Sequence, residues 1–153
     1  MPRAQLALNV EDLSEAIAFY SKLFDTAPAK VKQGYANFAV TEPPLKLVLI
    51  ESPGRGGTLN HLGIEVDSSQ AVHAEIARLA GEGLITEEEL GATCCFAEQD
   101  KAWVTGPAGH RWEIYTVLAD AQTFGAEPAK ADDAIGDWLC CGPAGGAAQG
   151  EPA

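Results

Sequence analysis

Apolar and polar residues alternate along Gln5-Leu6-Ala7-Leu8-Asn9-Val10, the period of two expected of a half-buried strand. Asp12 then stands where a helix N-cap belongs, with Glu15 three residues on as a capping-box partner. Leu13, Ala16, Ile17, Tyr20, Leu23 and Phe24 recur at helical spacing, so one face of that helix should pack. Pro28 marks its end, and two strand-like runs follow at 35–40 and 45–50.

The order then repeats. His61-Leu62-Gly63-Ile64-Glu65-Val66 alternates likewise, Asp67 or Ser68 can cap, and a helical pattern covers about 70–80. A shift of 56 residues lays Gln5 on His61, Leu8 on Ile64, Val10 on Val66, Ala18 on Ala74 and Leu23 on Leu79, the mark of an internal repeat. Strand-like stretches continue at about 93–98, 101–105 and 111–117, the last two separated by the turn Gly106-Pro107-Ala108-Gly109. The whole reads as two βαββ(β) modules, about 3–53 and 58–119, joined by Pro53-Gly54-Arg55-Gly56-Gly57. That loop is a linker and no phosphate cradle, because it leads into a strand where a cradle would open into a helix. From about Ala119 the periodicity dissolves. Residues 120–153 hold six acids and one lysine among Ala, Gly and Pro, which predicts a disordered acidic tail with Trp138-Leu139-Cys140-Cys141 as a sticky spot.

Composition narrows the function. A chain of 153 residues that is 46% apolar can build one cored domain or two fused modules. Its net charge of −12 argues against nucleic acid, which needs clustered Lys and Arg. No leader-like opening or membrane-length apolar run is seen, so a cytoplasmic protein without membrane contact is expected. In that compartment, four cysteines in two adjacent pairs read as thiols for metal or redox chemistry, not as a disulfide framework.

Alternation groups Gln5 with Ala7 and Asn9, His61 with Gly63 and Glu65, and Glu113 with Tyr115, each set opposite an apolar face that can pack on helices. The polar faces are left open to curve around a ligand. One imidazole, one carboxylate and one amide oxygen could hold a metal with positions open to water, dioxygen or substrate. Val48 stands where a fourth ligand would fall. Each residue also has a plainer reading, His61 as a hydrogen-bonded core residue and Glu113 as an exposed strand carboxylate. His73 and His110 read as solvated. Cys94 and Cys95 could both grip one soft atom only at a turn or bulge, which Gly91 and a break at Gln99-Asp100 would permit; the alternative is one buried inert thiol and one exposed. Two thiolates suit a soft ion or a trivalent arsenical, whose one carbon substituent leaves two bonds for sulfur. Lys101 could lower the thiol pKa values or be a surface lysine.

The opening Gln-Leu-Ala-Leu-Asn-Val-Glu-Asp-Leu and the following Ala-Phe-Tyr resemble the vicinal oxygen chelate superfamily of glyoxalases, extradiol dioxygenases and bleomycin resistance proteins. Gly34-Tyr35-Ala36-Asn37-Phe38, Leu59-Asn60-His61-Leu62-Gly63, Thr93-Cys94-Cys95-Phe96 and Gln99-Asp100-Lys101-Ala102-Trp103 resemble, more narrowly, its cadmium-induced proteins and organoarsenical C–As lyases. The likeness covers about residues 3–120. It implies an α+β fold of two tandem βαβββ modules, an open, curved mixed sheet around a metal site with helices outside. It further implies Fe(II) on Gln5, His61 and Glu113, and a trivalent organoarsenical on Cys94 and Cys95. Dioxygen would be the co-substrate and arsenite the product. Tyr35, Phe38, Phe96, Trp103 and Tyr115 would wall the pocket, and a homodimer is compatible with the family. Gln5 departs from the His found in many members. The alternative from another class is a non-catalytic protein that sequesters cadmium or another soft metal.

Overall fold

The structure, a computed structural model, describes residues 2–84, 86–94 and 96–120. Its elements are β1 (Arg3–Val10), α1 (Leu13–Leu23), β2 (Lys30–Lys32), β3 (Tyr35–Val40), β4 (Leu45–Glu51), β5 (Leu59–Glu65), α2 (Ser69–Gly81), β6 (Glu87–Cys94), β7 (Ala97–Thr105) and β8 (Arg111–Asp120). Each half is therefore βαβββ. The fold is α+β, with two helices among the described residues and a mixed sheet of eight strands. The repeat is visible in the caps: the Asp12 carboxylate accepts from the Glu15 amide at 2.9 Å, and the Ser68 hydroxyl, 56 residues on, accepts from the Ala71 amide at 3.1 Å.

The described chain divides into two compact units. One is Leu6–Asn60. Here β2, β3 and β4 form an antiparallel ladder, and α1 packs its apolar stripe of Leu13, Ala16, Ile17 and Tyr20 over Ala36, Phe38, Val40, Leu47 and Leu49. Phe38 thus belongs to the helix-facing core and does not wall a pocket. In the glycine-rich loop, the Glu11 carboxylate accepts from the amides of Gly54 at 2.6 Å and Gly56 at 3.1 Å, which takes up the donors a phosphate would need. Gly56 is required for that approach, because a Cβ there would lie 2.7 Å from the Glu11 side chain.

The other unit joins Gln5 to the described residues from His61 onward. Its strands run β5-β8-β7-β6, with β5 parallel to β8 and the other pairs antiparallel. α2 packs on β7 and β8, burying Val72 and Leu79. The strand expected at 93–98 is instead a reversal: Cys94, the last residue of β6, pairs with Ala97, the first of β7, and Phe96 sits at φ +63°. β6 carries no apolar alternation at Glu87, Glu88 and Glu89, and among the described residues it is the last strand of the ladder, paired on one side only. Gln99 and Asp100 do not break the chain but lie inside β7. The irregularity there is a bulge, in which the Asp100 carboxylate accepts from the amide of Gly91, itself at φ +62°.

Cys95, and the expected tail beyond Asp120 with Cys140-Cys141, lie outside the described residues. Among the described residues, no helix is long and apolar enough to cross a membrane.

Candidate functional site

Register places Gly63 beside Glu113 and Glu65 beside Tyr115 on β5 and β8, and Trp103 and Lys101 opposite those same β8 residues on β7. Strand pleating sends all of these side chains to one face, and His61 shares it. Gln5 reaches the same point from β1. The face is not left open as the alternation suggests: Gln5, His61 and Glu113 are each only 3% exposed. The reading of Glu113 as an exposed strand carboxylate is therefore excluded. His73 and His110 are exposed, as expected.

Three donor atoms form a small triangle. Gln5 Nε2 lies 3.2 Å from His61 Nε2 and 2.6 Å from Glu113 Oε1, and those two are 3.3 Å apart. Three ligands about 2.1 Å from one ion and mutually at right angles stand about 3.0 Å from each other, so the triangle has the size of one face of an octahedral coordination shell. The donor set fits a divalent transition metal: neutral imidazole, carboxylate and, with its amide turned, a carboxamide oxygen.

Other residues hold the triangle in place. Lys101, which is buried and not the surface lysine that sequence allowed, donates to Glu113 Oε2 at 2.9 Å and leaves Oε1 to the triangle. Burial alone would raise the Glu113 carboxyl, but Lys101 and His61 outweigh it and hold the group well below the usual carboxylate range. Trp103 packs against the edge of the His61 ring at 5.2 Å and carries the Arg111 guanidinium over its own ring at 4.3 Å. The Tyr115 hydroxyl is within donating distance of Gln5 Oε1 at 2.6 Å and Glu65 Oε2 at 3.0 Å, and Arg3 donates to Glu65 Oε1 at 3.1 Å and Oε2 at 3.3 Å. Burial, reinforced by Glu113 and Glu65, raises the Tyr115 hydroxyl well above its ordinary value, so it stays protonated. Glu89, opposite Lys101 on β6, is also pushed up, by burial first.

Sequence placed Gly63 and Glu65 on the polar face without giving them a role, linked Lys101 to the thiols and not to Glu113, and did not single out Arg3. Gly63 had a signal, a glycine inside a strand on the polar face. A Cβ there would lie 3.0 Å from both Gln5 Nε2 and Glu113 Cγ. Gly63→Ala must spread the triangle, and the expected result is Co(II) affinity about tenfold or more weaker with the fold retained, read by optical titration and circular dichroism. Wild-type affinity in that variant would contradict the close fit.

Residues 3–114 match the glyoxalase/bleomycin resistance protein/dioxygenase superfamily. The chain is 66% identical over 142 residues to the cadmium-induced protein CadI of Mycobacterium tuberculosis, covering 92% of this chain and 93% of that one. It is 56% identical over 144 residues to the trivalent organoarsenical cleaving enzyme of Thermomonospora curvata, covering 94% and 90%. The crystal structure of the 2,3-dioxygenase LapB from Pseudomonas sp. KL28 has the same fold, with TM-score 0.58 and 18% identity over 93% of this chain and 49% of that one. A match over most of the chain, on the fold and repeat described above, settles the family: this protein belongs to the glyoxalase/bleomycin resistance protein/dioxygenase superfamily.

Proposed function

We propose that this protein is an Fe(II)- and dioxygen-dependent lyase that cleaves the carbon–arsenic bond of trivalent organoarsenicals and releases arsenite. The observation that carries it is the buried Gln5, His61 and Glu113 triangle, sized for a facially bound ion. The Thermomonospora curvata relative supports the substrate class.

In this reading, Cys94 and Cys95 exchange their two S–H protons for two As–S bonds, expelling two waters from an R–As(OH)₂ substrate. That fixes arsenic and leaves its carbon substituent free to reach the reacting centre, which turns a multi-body encounter into an intramolecular one. Iron(II) held by Gln5, His61 and Glu113 would supply the open coordination positions and the electrons that activate dioxygen. Lys101 keeps Glu113 ionised and fixes its second oxygen. Trp103 keeps the His61 ring in place. Such thiols need a reducing compartment, which supports a cytosolic location in this reading.

The test is arsenite release from methylarsonous acid by iron-reconstituted protein, with and without oxygen. Release that needs both iron and oxygen is expected; no release, or release without either, overturns the reading. The 66% identity to a cadmium-induced protein favours a second reading, in which the cysteines sequester a soft ion without turnover. Stoichiometric Cd(II) uptake with no arsenite formed would select it.

A further inference from the structure

Glu89 and Cys94 stand five residues apart on β6, and in an unbroken strand an odd separation sends two positions to opposite faces. Their partners on β7 do not follow that count. Glu89 pairs with Lys101 and Cys94 with Ala97, which are four residues apart. β7 itself alternates without a break: Ala97, Gln99, Lys101 and Trp103 are buried, Glu98 is exposed, and Asp100 and Val104 are half-buried. The odd-numbered set is the face of the triangle, since from it Lys101 reaches Glu113 and Trp103 packs on His61. The row of Ala97 therefore belongs to that face.

The extra residue of β6 is taken up at one place. Leu90 and Gly91 together oppose Asp100, and the ladder resumes with Ala92 opposite Gln99. Gly91 adopts φ +62°, a conformation that glycine takes without cost, and its amide donates to the Asp100 carboxylate at 2.7 Å. The Ser69 side chain, at the start of α2, hydrogen-bonds the same carboxylate, and these two bonds hold the Asp100 carboxyl below its ordinary range. Asp100 thus ties the bulge to the helix. Leu90 is 56% exposed, so the bulge does not exist to bury it.

We infer that this bulge sets the phase of the thiol pair: it brings position 94 into the β7 rows that carry Lys101 and Trp103, and Asp100 is the positioning residue that holds it there. A regular ladder continued from Glu89 and Lys101 would set Thr93 opposite Ala97 and turn position 94 to the other face. One residue of slip would exchange a thiol for a hydroxyl in that row. The role of the bulge rests on the dithiol reading above, but the device lies in the backbone and involves none of the triangle residues.

The test uses the full chain and methylarsonous acid, with binding followed by the loss of free thiols, iron loading by colorimetric assay and register by cross-strand NMR contacts. Asp100→Ala removes the acceptor of the Gly91 amide. Arsenical affinity should fall about tenfold, the loss expected when about one molecule in ten keeps the competent register, while iron loading stays at the wild-type level. The contact between Thr93 and Glu98 should give way to one between Thr93 and Ala97. Asp100→Asn, which keeps an acceptor oxygen, should lose less. Deleting Leu90 from the Asp100→Ala chain leaves one residue opposite position 100, so a regular ladder again sets Cys94 against Ala97 and affinity should return. A residue that only stabilised the fold would not be rescued by a deletion. Wild-type affinity in Asp100→Ala, an unchanged register in that variant, or a deletion that restores the register without the affinity would each overturn the phase setting. A wild-type chain that takes up no arsenical would instead end the dithiol reading, and the register of Asp100→Ala would still decide whether Asp100 holds the bulge.

Discussion

Cys94→Ser and Cys95→Ser should each leave Fe(II) loading at the wild-type level while lowering arsenite release from methylarsonous acid by about 100-fold or more, the scale lost when a reactant is no longer held in place. His61→Ala should do the opposite, retaining arsenical binding and losing the metal. The asymmetry follows from chemistry. A serine hydroxyl is a hard donor and forms no stable link to arsenic(III), whereas the triangle contains no sulfur. Removing His61 takes away one of three donors, and the remaining amide and paired carboxylate hold a divalent ion poorly. Binding of a trivalent arsenical, followed by the loss of free thiols, and iron, followed by colorimetric assay, separate the two. Serine variants that turn over at the wild-type rate would end the dithiol role, and iron retained by His61→Ala would end the metal role.

The repeat made much of this legible in advance. Gln5 and His61 sit at equivalent places in two copies of one plan, and strand alternation alone sends both to the polar face, so their pairing is legible in the sequence. Glu113 followed from the same alternation on β8. Burial did not follow. A polar face on a strand usually meets water, and alternation cannot say that Gln5, His61 and Glu113 are enclosed. Lys101 was misjudged for the same reason, since its role depends on the β7–β8 register that sets it opposite Tyr115 and within reach of Glu113. β6 was illegible because acids at an edge strand carry no apolar period. The position of the turn near Phe96 depends on a positive φ at a residue whose identity gives no hint of it.

Lys101→Met should destabilise the metal-free protein by about 3–5 kcal/mol, the cost of leaving one member of a buried ion pair alone. Glu113 keeps its contacts with His61 and Gln5 but loses the ammonium at its second oxygen. For a chain of this length that corresponds to a fall in Tm of roughly 10 °C. The deficit should depend on pH with a definite sign. In wild-type protein the Glu113 carboxyl is held below its ordinary 4.5, so its contribution is complete above that pH and is lost as pH falls toward the depressed value. In the variant only His61 and Gln5 oppose the effect of burial, so the carboxyl takes up its proton at higher pH than in wild-type protein. The two stability curves should therefore lie furthest apart at neutral pH and converge on acidification, as urea unfolding at a series of pH values would show. A divalent ion on Glu113 Oε1 would restore the missing positive charge from the other side, so Zn(II) should raise the Tm of Lys101→Met more than that of wild-type protein. An equal rise in both, or a gap that ignores pH, would mean that Lys101 supports the fold by packing and that Glu113 does not depend on its charge.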